Sequence, residues 1–375
     1  MSSLILKTNV QNKEELSIKN VILILLSLFL MSGCMNIDKK ILDDIQLSSA
    51  GGYDYVDSRT VEVTAVTPIY RPDKSVLNET FTTSVSLSKE ARVKLNEQSD
   101  KPFVSGKIQV ALYSSRLAEE GLIDTLDTLV RDPSIGSKVY LVIVEGSAKE
   151  FLKKQYGSTD NGIYLSNLIE QNIKSGRIPK TNLHQFKYSY HSEGMDPFLP
   201  IIGEEYDKAD IKGLALFKQD KFVQHLKDTD MFIFKILYEK SSSDASMELE
   251  LGEREEMASV YNVNTKRSYD VPKPMTDSKI TLRVKFKGIV NEYSGEKINK
   301  QAVSKIESKM KEEIEKKGEE LIKEFQDLGI DPLGIGDQVR TRTRNWDQKE
   351  WYSLYPNVEI NVKADVQILE TGVIE

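Results

Sequence analysis

The run Lys138-Val139-Tyr140-Leu141-Val142-Ile143-Val144 decides how the first half of this chain folds. Apolar and β-branched with no polar alternation, it predicts a strand buried on both faces, as in the middle of a parallel sheet. Its flanks agree. Upstream, Leu117 to Val130 sets Leu122, Leu126, Leu129 and Val130 at helical spacing, and Asp132-Pro133 stops that helix. Downstream, Ser147 to Gln155 and Leu165 to Lys174 read as short helices. Further out, Lys107 to Tyr113, Arg59 to Thr67 (RTVEVTAVT) and Thr80 to Ser86 (TFTTSVS) carry the alternation or β-branched content of strands. Pro68, Pro72, Asp73 and Asn78 mark the turn between the last two, and Ser88 to Glu97 reads as a helix capped by Ser88. Strands interleaved with helices predict an α/β unit.

Beyond it the pattern changes. From about Phe186 to Asp210 the periodicity fades into a loop bearing Pro197, Pro200 and Gly203, which places a boundary near residue 205. Gly213 to Phe217 and Phe222 to His225 flank Lys218-Gln219-Asp220-Lys221 and predict a hairpin with a polar four-residue loop. Asp230 to Tyr238 fits a helix or a strand. Met247 to Leu251 and Lys279 to Glu292 read as strands separated by turns containing Asn, Lys and Pro, the latter (KITLRVKFKGIVNE) alternating as a half-exposed antiparallel strand does.

Asn299 to Leu328 is the clearest helix. Val303, Ile306, Met310, Ile314, Leu321, Phe325 and Leu328 form an apolar stripe, with Lys and Glu on the other face. It would run about 45 Å at 1.5 Å per residue. Glu313 with Lys317 and Glu319 with Lys323 are favourably spaced, Gly318 is a place for a bend, and Gly329 with Asp331-Pro332 ends the helix. It suits either packing on a C-terminal sheet or docking to a partner. Val358 to Leu369 closes the chain as an alternating strand. The expected fold is therefore mixed α/β (α+β) and multi-domain, with mixed sheets, packed helices and a long C-terminal amphipathic helix against a terminal antiparallel sheet. The expected divisions are residues 1–33 as a targeting segment, 34–205, 206–275 and 276–375, or 206–375 as one unit.

Composition narrows the function. The chain has 375 residues, 39% hydrophobic and 29% charged, with one Cys, so no disulfide framework holds it together. A net charge of −7 argues against general nucleic-acid binding, which needs a basic face to displace counterions from phosphates. With three His (His184, His191, His225) and a single Cys, a Cys-rich zinc site cannot be built.

The amino terminus carries the most specific signal. Val21 to Met31 (VILILLSLFLM) is uncharged and follows Lys7, Lys13 and Lys19; it is too short for the roughly 20 residues that span a bilayer but fits a signal-peptide core. Small residues Ser32 and Gly33 lead directly to Cys34, the arrangement of lipoprotein processing: the thiol is alkylated by diacylglycerol and cleavage after Gly33 makes Cys34 the new terminus. Two acyl chains then hold the protein to a membrane, each buried CH₂ contributing about 0.8 kcal/mol. Met31 stands where Leu is commoner, and Glu14 and Glu15 lengthen the n-region. The other reading is an uncleaved helix with an incidental Cys34.

Catalytic motifs are sparse. Glu145-Gly146-Ser147-Ala148-Lys149 lacks the second Gly of a nucleophile elbow, and Ser86 and Lys89 have Ser–Lys spacing without an accompanying motif. No glycine-rich phosphate loop is present, and Gly334-Ile335-Gly336 reads as a tight turn. His184 and His191, among Phe186, Tyr188 and Tyr190, suit a ligand or metal site or simply a loop; Arg340, Arg342 and Arg344 form a small basic strip suited to head groups, to an acidic partner or to solvent. No catalytic, cofactor-binding or metal residue is assigned, and no cofactor is expected.

The order of short strings resembles one family over nearly the whole chain after Cys34. Asp38-Lys39-Lys40-Ile41-Leu42, Leu126-Asp127-Thr128-Leu129-Val130-Arg131-Asp132-Pro133 and Val144 to Lys149 carry it in the first half. Gly213-Leu214-Ala215-Leu216-Phe217-Lys218 with Asp220-Lys221, Asn291-Glu292-Tyr293, Asp331-Pro332-Leu333-Gly334-Ile335-Gly336, Trp346, Tyr355-Pro356 and Thr371-Gly372 carry it in the second. These are similar to the Ger(x)C family, the lipoprotein C subunits of spore germinant receptors. One departure is Cys34-Met35-Asn36 where the family usually has Cys-Trp-Asp, which removes an aromatic suited to the bilayer interface.

The resemblance implies a mixed α/β protein of three small domains on the outer face of the spore inner membrane, anchored by diacylglycerol on Cys34. It implies integral membrane A and B subunits as partners and a non-enzymatic part in nutrient-triggered germination: ordering the complex, gating access or touching the germinant. The alternatives are a substrate-binding lipoprotein of an importer, which commonly shows two similar lobes, and a cell-envelope enzyme.

Overall fold

The computed structural model describes residues 44–371 apart from 87–89, 253–255 and 273–278. Ser32, Gly33 and Cys34 therefore lie outside the described residues, as do Ser88, Lys89 and the cut expected near 275. The compact body of the chain begins at Gln46.

In the first half the strands are β1 (Gln46–Leu47), β2 (Ala50–Asp57), β3 (Thr60–Tyr70), β4 (Val76–Val85), β5 (Phe103–Val104), β6 (Val110–Ser114), β7 (Tyr140–Val144), β8 (Phe198–Glu205), β9 (Lys208–Lys218) and β10 (Lys221–Leu226). Eight of them form one sheet in the order β10-β9-β8-β7-β6-β2-β3-β4, while β1 pairs with β5. Strands β2, β6, β7 and β8 run parallel in the middle, with antiparallel strands at both sides. The apolar run from Lys138 to Val144 supplies β7, the fourth strand from one edge. Its side chains alternate between two cores: Val142 and Val144 join one, Leu141 and Ile143 the other. A strand with apolar packing on both faces has no position for a polar residue, which is why the run is unbroken.

The helices covering this sheet are α1 (Ala91–Asn96), α2 (Ser115–Glu120), α3 (Ile123–Arg131), α4 (Ala148–Lys153), α5 (Asn161–Lys174) and α6 (Leu183–His191). The single helix expected over 117–130 is broken between α2 and α3. Gly121 sits at φ +129°, and a Cβ there would lie 2.7 Å from Asp220 Oδ2. Asp220 takes over the capping of α3, accepting Ile123 N–H at 3.0 Å. The Gly146-Ser147 string is a helix start: Ser147 caps α4, and Asp54 accepts the N–H groups of Ala148 and Lys149, each at 2.8 Å.

The segment expected as a loop from 186 to 210 is instead α6 followed by β8. Strand β8 (FLPIIGEE) hides its character behind Pro200 and Gly203, yet its first six residues are buried. The cut expected near 205 falls at Tyr206–Asp207, both in the left-handed region, a tight turn joining paired strands β8 and β9. The following hairpin is also tighter than expected: Lys218 pairs with Lys221, leaving a two-residue turn with Gln219 at φ +57°.

The second half holds α7 (Asp228–Tyr238), β11 (Ser241–Ser242), β12 (Ser246–Glu250), β13 (Met257–Asp270), β14 (Lys279–Tyr293), α8 (Lys300–Leu328), α9 (Ile335–Arg340), α10 (Gln348–Leu354) and β15 (Glu359–Thr371). Strands β11 and β12 pair antiparallel with β13, β13 with β14, and β15 joins β14 in parallel across the α8 crossover. The mixed α+β fold class stands, and the last pair makes the C-terminal sheet mixed. Strand β13 occupies what the sequence suggested was turn. Register shifts near Val260 and Asn262 break its alternation, and it buries Asn262 and Thr265, which hydrogen-bond each other at 2.9 Å.

Helix α8 runs without interruption through Gly318. A Cβ there would lie 3.1 Å from Val362 and 3.3 Å from Leu237, so the glycine lets α8 approach β15 and α7 closely. Glu319 does not lie idle on the polar face: it accepts Val362 N–H at 3.0 Å, while Glu315 and Glu307 accept Ala364 and Ile368 N–H at 3.0 and 2.8 Å. Glu313 pairs with Lys309 at 3.1 Å. Among the described residues, no helix is long and apolar enough to cross a membrane.

Candidate functional site

Helix α6 is the element on which the sequence-flagged groups converge. Asn182 caps it by accepting Gln185 N–H at 3.0 Å, and backbone bonds from Leu183 to Val139 and from His184 to Ser137 tie its start to the lead-in of β7. Leu183 and Phe186 face inward, the latter edge-on to Phe217 at 5.5 Å. The opposite face, at three- and four-residue steps, carries His184, Lys187, Tyr188 and His191.

These four line a groove of about 550 Å³, with Leu129, Val130 and Ile135 as its apolar wall and Arg340 at its far end. The structure thus brings His184, His191 and Arg340 together, on helices rather than in a loop. Asp337 organises the far end. It accepts from Arg340 Nε at 2.9 Å, Ser192 Oγ at 3.1 Å and Tyr188 OH at 3.3 Å. The Asp337 charge beside Tyr188 pushes its hydroxyl pKa up. Arg342 lies apart from this cluster, folded back onto Gln338.

Behind the groove, two carboxylates join the halves of the chain. Asp331 N–H donates to Asp196 Oδ2 at 2.8 Å, and Asp196 N–H returns to Asp331 O at 3.0 Å. Asp331 also accepts Ile335 and Gly336 N–H at 3.0 and 2.6 Å, while Asp196 accepts Gln219 N–H at 3.0 Å. Gly334 is in the left-handed region and starts α9, so Gly334-Ile335-Gly336 is a turn whose N–H groups are already taken by Asp331, that of Gly334 by its backbone carbonyl and those of Ile335 and Gly336 by its carboxyl. Gly194 and Gly336 lie backbone to backbone: a Cβ on Gly194 would come within 2.5 Å of Asp337 N. Burial, with Asp196 beside it, raises the Asp331 pKa from 3.8 to about 7; burial also raises Asp196.

Chemically the groove offers recognition: an apolar wall beside imidazoles, an ammonium and a guanidinium, with Glu193 at the rim. Among the described residues, no group of three or more His, Cys, Asp or Glu is placed to hold a metal ion. Asp196, Asp337 and Lys187 were missed from sequence. Gly194-Met195-Asp196-Pro197 was the only local signal, a turn-like string whose partner stands 135 residues away.

Residues 38–204 match the family model described as spore germination protein N-terminal domain, and residues 212–372 match the one described as spore germination B3/GerAC like, C-terminal. The chain belongs to the Ger(x)C family. It is 29% identical over 358 residues to the spore germination protein GerQC of Bacillus cereus, covering 95% of this chain and 99% of that one. It is 23% identical over 303 residues to the putative spore germination protein YfkR of Bacillus subtilis (strain 168), covering 76% and 77%. The crystal structure of the GerBC protein has the same fold, with a TM-score of 0.52 at 17% identity over 87% of this chain and 99% of that one.

The strings that carried the Ger(x)C resemblance now have places. Leu126 to Pro133 forms most of α3 and the wall of the groove, and Asp331 to Gly336 forms the carboxylate junction. Gly213 to Lys218 lies in β9, where a Cβ on Gly213 would meet His225 at 2.3 Å.

Proposed function

We propose that this Ger(x)C protein is the lipid-anchored C subunit of a spore nutrient germinant receptor. It acts without catalysis, as an assembly or signalling subunit beside integral A and B subunits on the outer face of the spore inner membrane. One observation carries the reading: both spore-germination domains, at 38–204 and 212–372, lie directly after the processing pattern that ends at Cys34. The groove against α6 is the surface we assign to recognition of a partner subunit.

The competing importer-type binding lipoprotein needs two lobes that close on a hinge. Here one hydrophobic cluster runs from Ala50 to Ala364, and the Asp196–Asp331 junction sits within the body, which supports a single rigid unit. The test is deletion of this gene alone, with loss of spore refractility scored in single nutrients and in a nutrient-independent chemical trigger. Loss of one nutrient response with the chemical trigger intact is expected. An unchanged response to every nutrient, with redundant receptor genes also removed, overturns the receptor reading.

A further inference from the structure

The hairpin between β3 and β4 ends in a tip whose apolar side chains stay largely exposed among the described residues. Ile69 and Leu77, paired across it, are 38% and 44% exposed; Tyr70, paired with Val76 on the opposite face, is 60% exposed. Both faces of the tip are therefore apolar. Asp73 holds the turn by accepting Ser75 N–H and Oγ–H at 2.9 and 2.7 Å, and Arg71 and Lys74 stand exposed beside it. Lys107 reaches the tip from the neighbouring loop, its ammonium 2.8 Å from Tyr70 OH and 3.8 Å from Asp160. Glu79, a third acidic group here beside Asp73 and Asp160, meets the Gln46 amide at 3.4 Å.

The same end of the sheet receives the chain from its amino terminus. Gln46 donates to Thr67 at 2.7 Å, and β2 runs antiparallel to β3, so the chain enters the body alongside the stretch of β3 that leads to the tip. From Thr67 the hairpin extends roughly 10–15 Å further at 3.3 Å per residue. Twelve steps separate Cys34 from Gln46, a tether of at most about 40 Å. Aromatic and aliphatic side chains flanked by Lys and Arg are the composition that settles at an anionic bilayer surface.

We infer that this hairpin tip rests in the head-group region of the membrane, with Ile69, Tyr70 and Leu77 entering it and Arg71, Lys74 and Lys107 meeting anionic phosphates. This inference rests on the lipid-anchor reading above. It gives the body a fixed orientation, with the β8–β9 turn at Tyr206, 92% exposed, at the sheet end pointing away from the bilayer.

The test uses the full lipidated chain. Because Cys34 is the only native Cys and its thiol is consumed by the lipid, a Lys74→Cys or Tyr206→Cys substitution supplies a single labelling site. Each labelled protein is added to preformed vesicles of phosphatidylglycerol and phosphatidylethanolamine. Flotation is measured, and quenching of the label by an aqueous collider is compared with that of the same label on an unlipidated chain that begins at Met35 and so carries neither the lipid nor the apolar Val21–Met31 segment. The expected result is flotation of both proteins, with quenching at 74 reduced about threefold or more and quenching at 206 unchanged. Flotation with both labels equally accessible overturns the hairpin contact and leaves the anchor standing. Failure of the lipidated chain to float overturns the anchor and the hairpin contact together.

Discussion

Asp331 shows how one residue can couple folding to pH. It accepts two backbone N–H groups and lies buried beside Asp196, and burial outweighs those hydrogen bonds in raising its pKa to about 7. Since the folded value lies above the unfolded 3.8, the folded chain keeps a proton that the unfolded chain has released. Its contribution to stability is fully present below about pH 4 and is lost as the pH rises through about 7. The stability difference between the native chain and Asp331→Ala, read from urea titrations, is therefore expected to shrink across that window. A difference that stays constant would contradict a protonated Asp331.

Among the elements, α8 does more than bury an apolar stripe. Strand β15 is the edge of the C-terminal sheet, and its outward N–H groups at Val362, Ala364 and Ile368 are answered by Glu319, Glu315 and Glu307. An edge left open is a template for another strand. Each such hydrogen bond to a carboxylate contributes about 1–2 kcal/mol when half-buried. Replacing all three glutamates by Ala is expected to lower stability by a few kcal/mol and to produce concentration-dependent self-association. Unchanged melting and a monodisperse sedimentation profile would show that the carboxylates leave the edge in solution.

For the whole molecule, the two family domains share more than a linker. Strands β9 and β10 fall mostly within the C-terminal match at 212–372, yet they complete the sheet built by the N-terminal match at 38–204. Cutting after Glu205 would strip β8 of its antiparallel partner and Asp196 of the Gln219 and Asp331 N–H groups. A fragment of residues 34–205 is expected to be insoluble unless produced together with residues 206–375, as judged by soluble yield and protease resistance. A fragment that folds cooperatively alone would show that the halves are independent.

Local burial wrote the most legible parts of the sequence. Strand β7 is an unbroken apolar run because both its faces are packed, α8 shows its stripe because one face is packed, and Ser147 and Gly329 mark helix ends because capping is a short-range matter. The fold class and the family followed from such elements and their order. Three features depended on residues far apart in the chain. Asp220 breaks the helix at Gly121 from 99 positions away, the bulges of β13 make sense only against β14, and Asp196 finds Asp331 across 135 positions. Likewise His184, His191 and Arg340 share a groove only because α6 and α9 pack together around Asp337. Periodicity reports how one element is buried. Which element buries it is decided when sheets and helices pack, and that choice has no local signature in the chain.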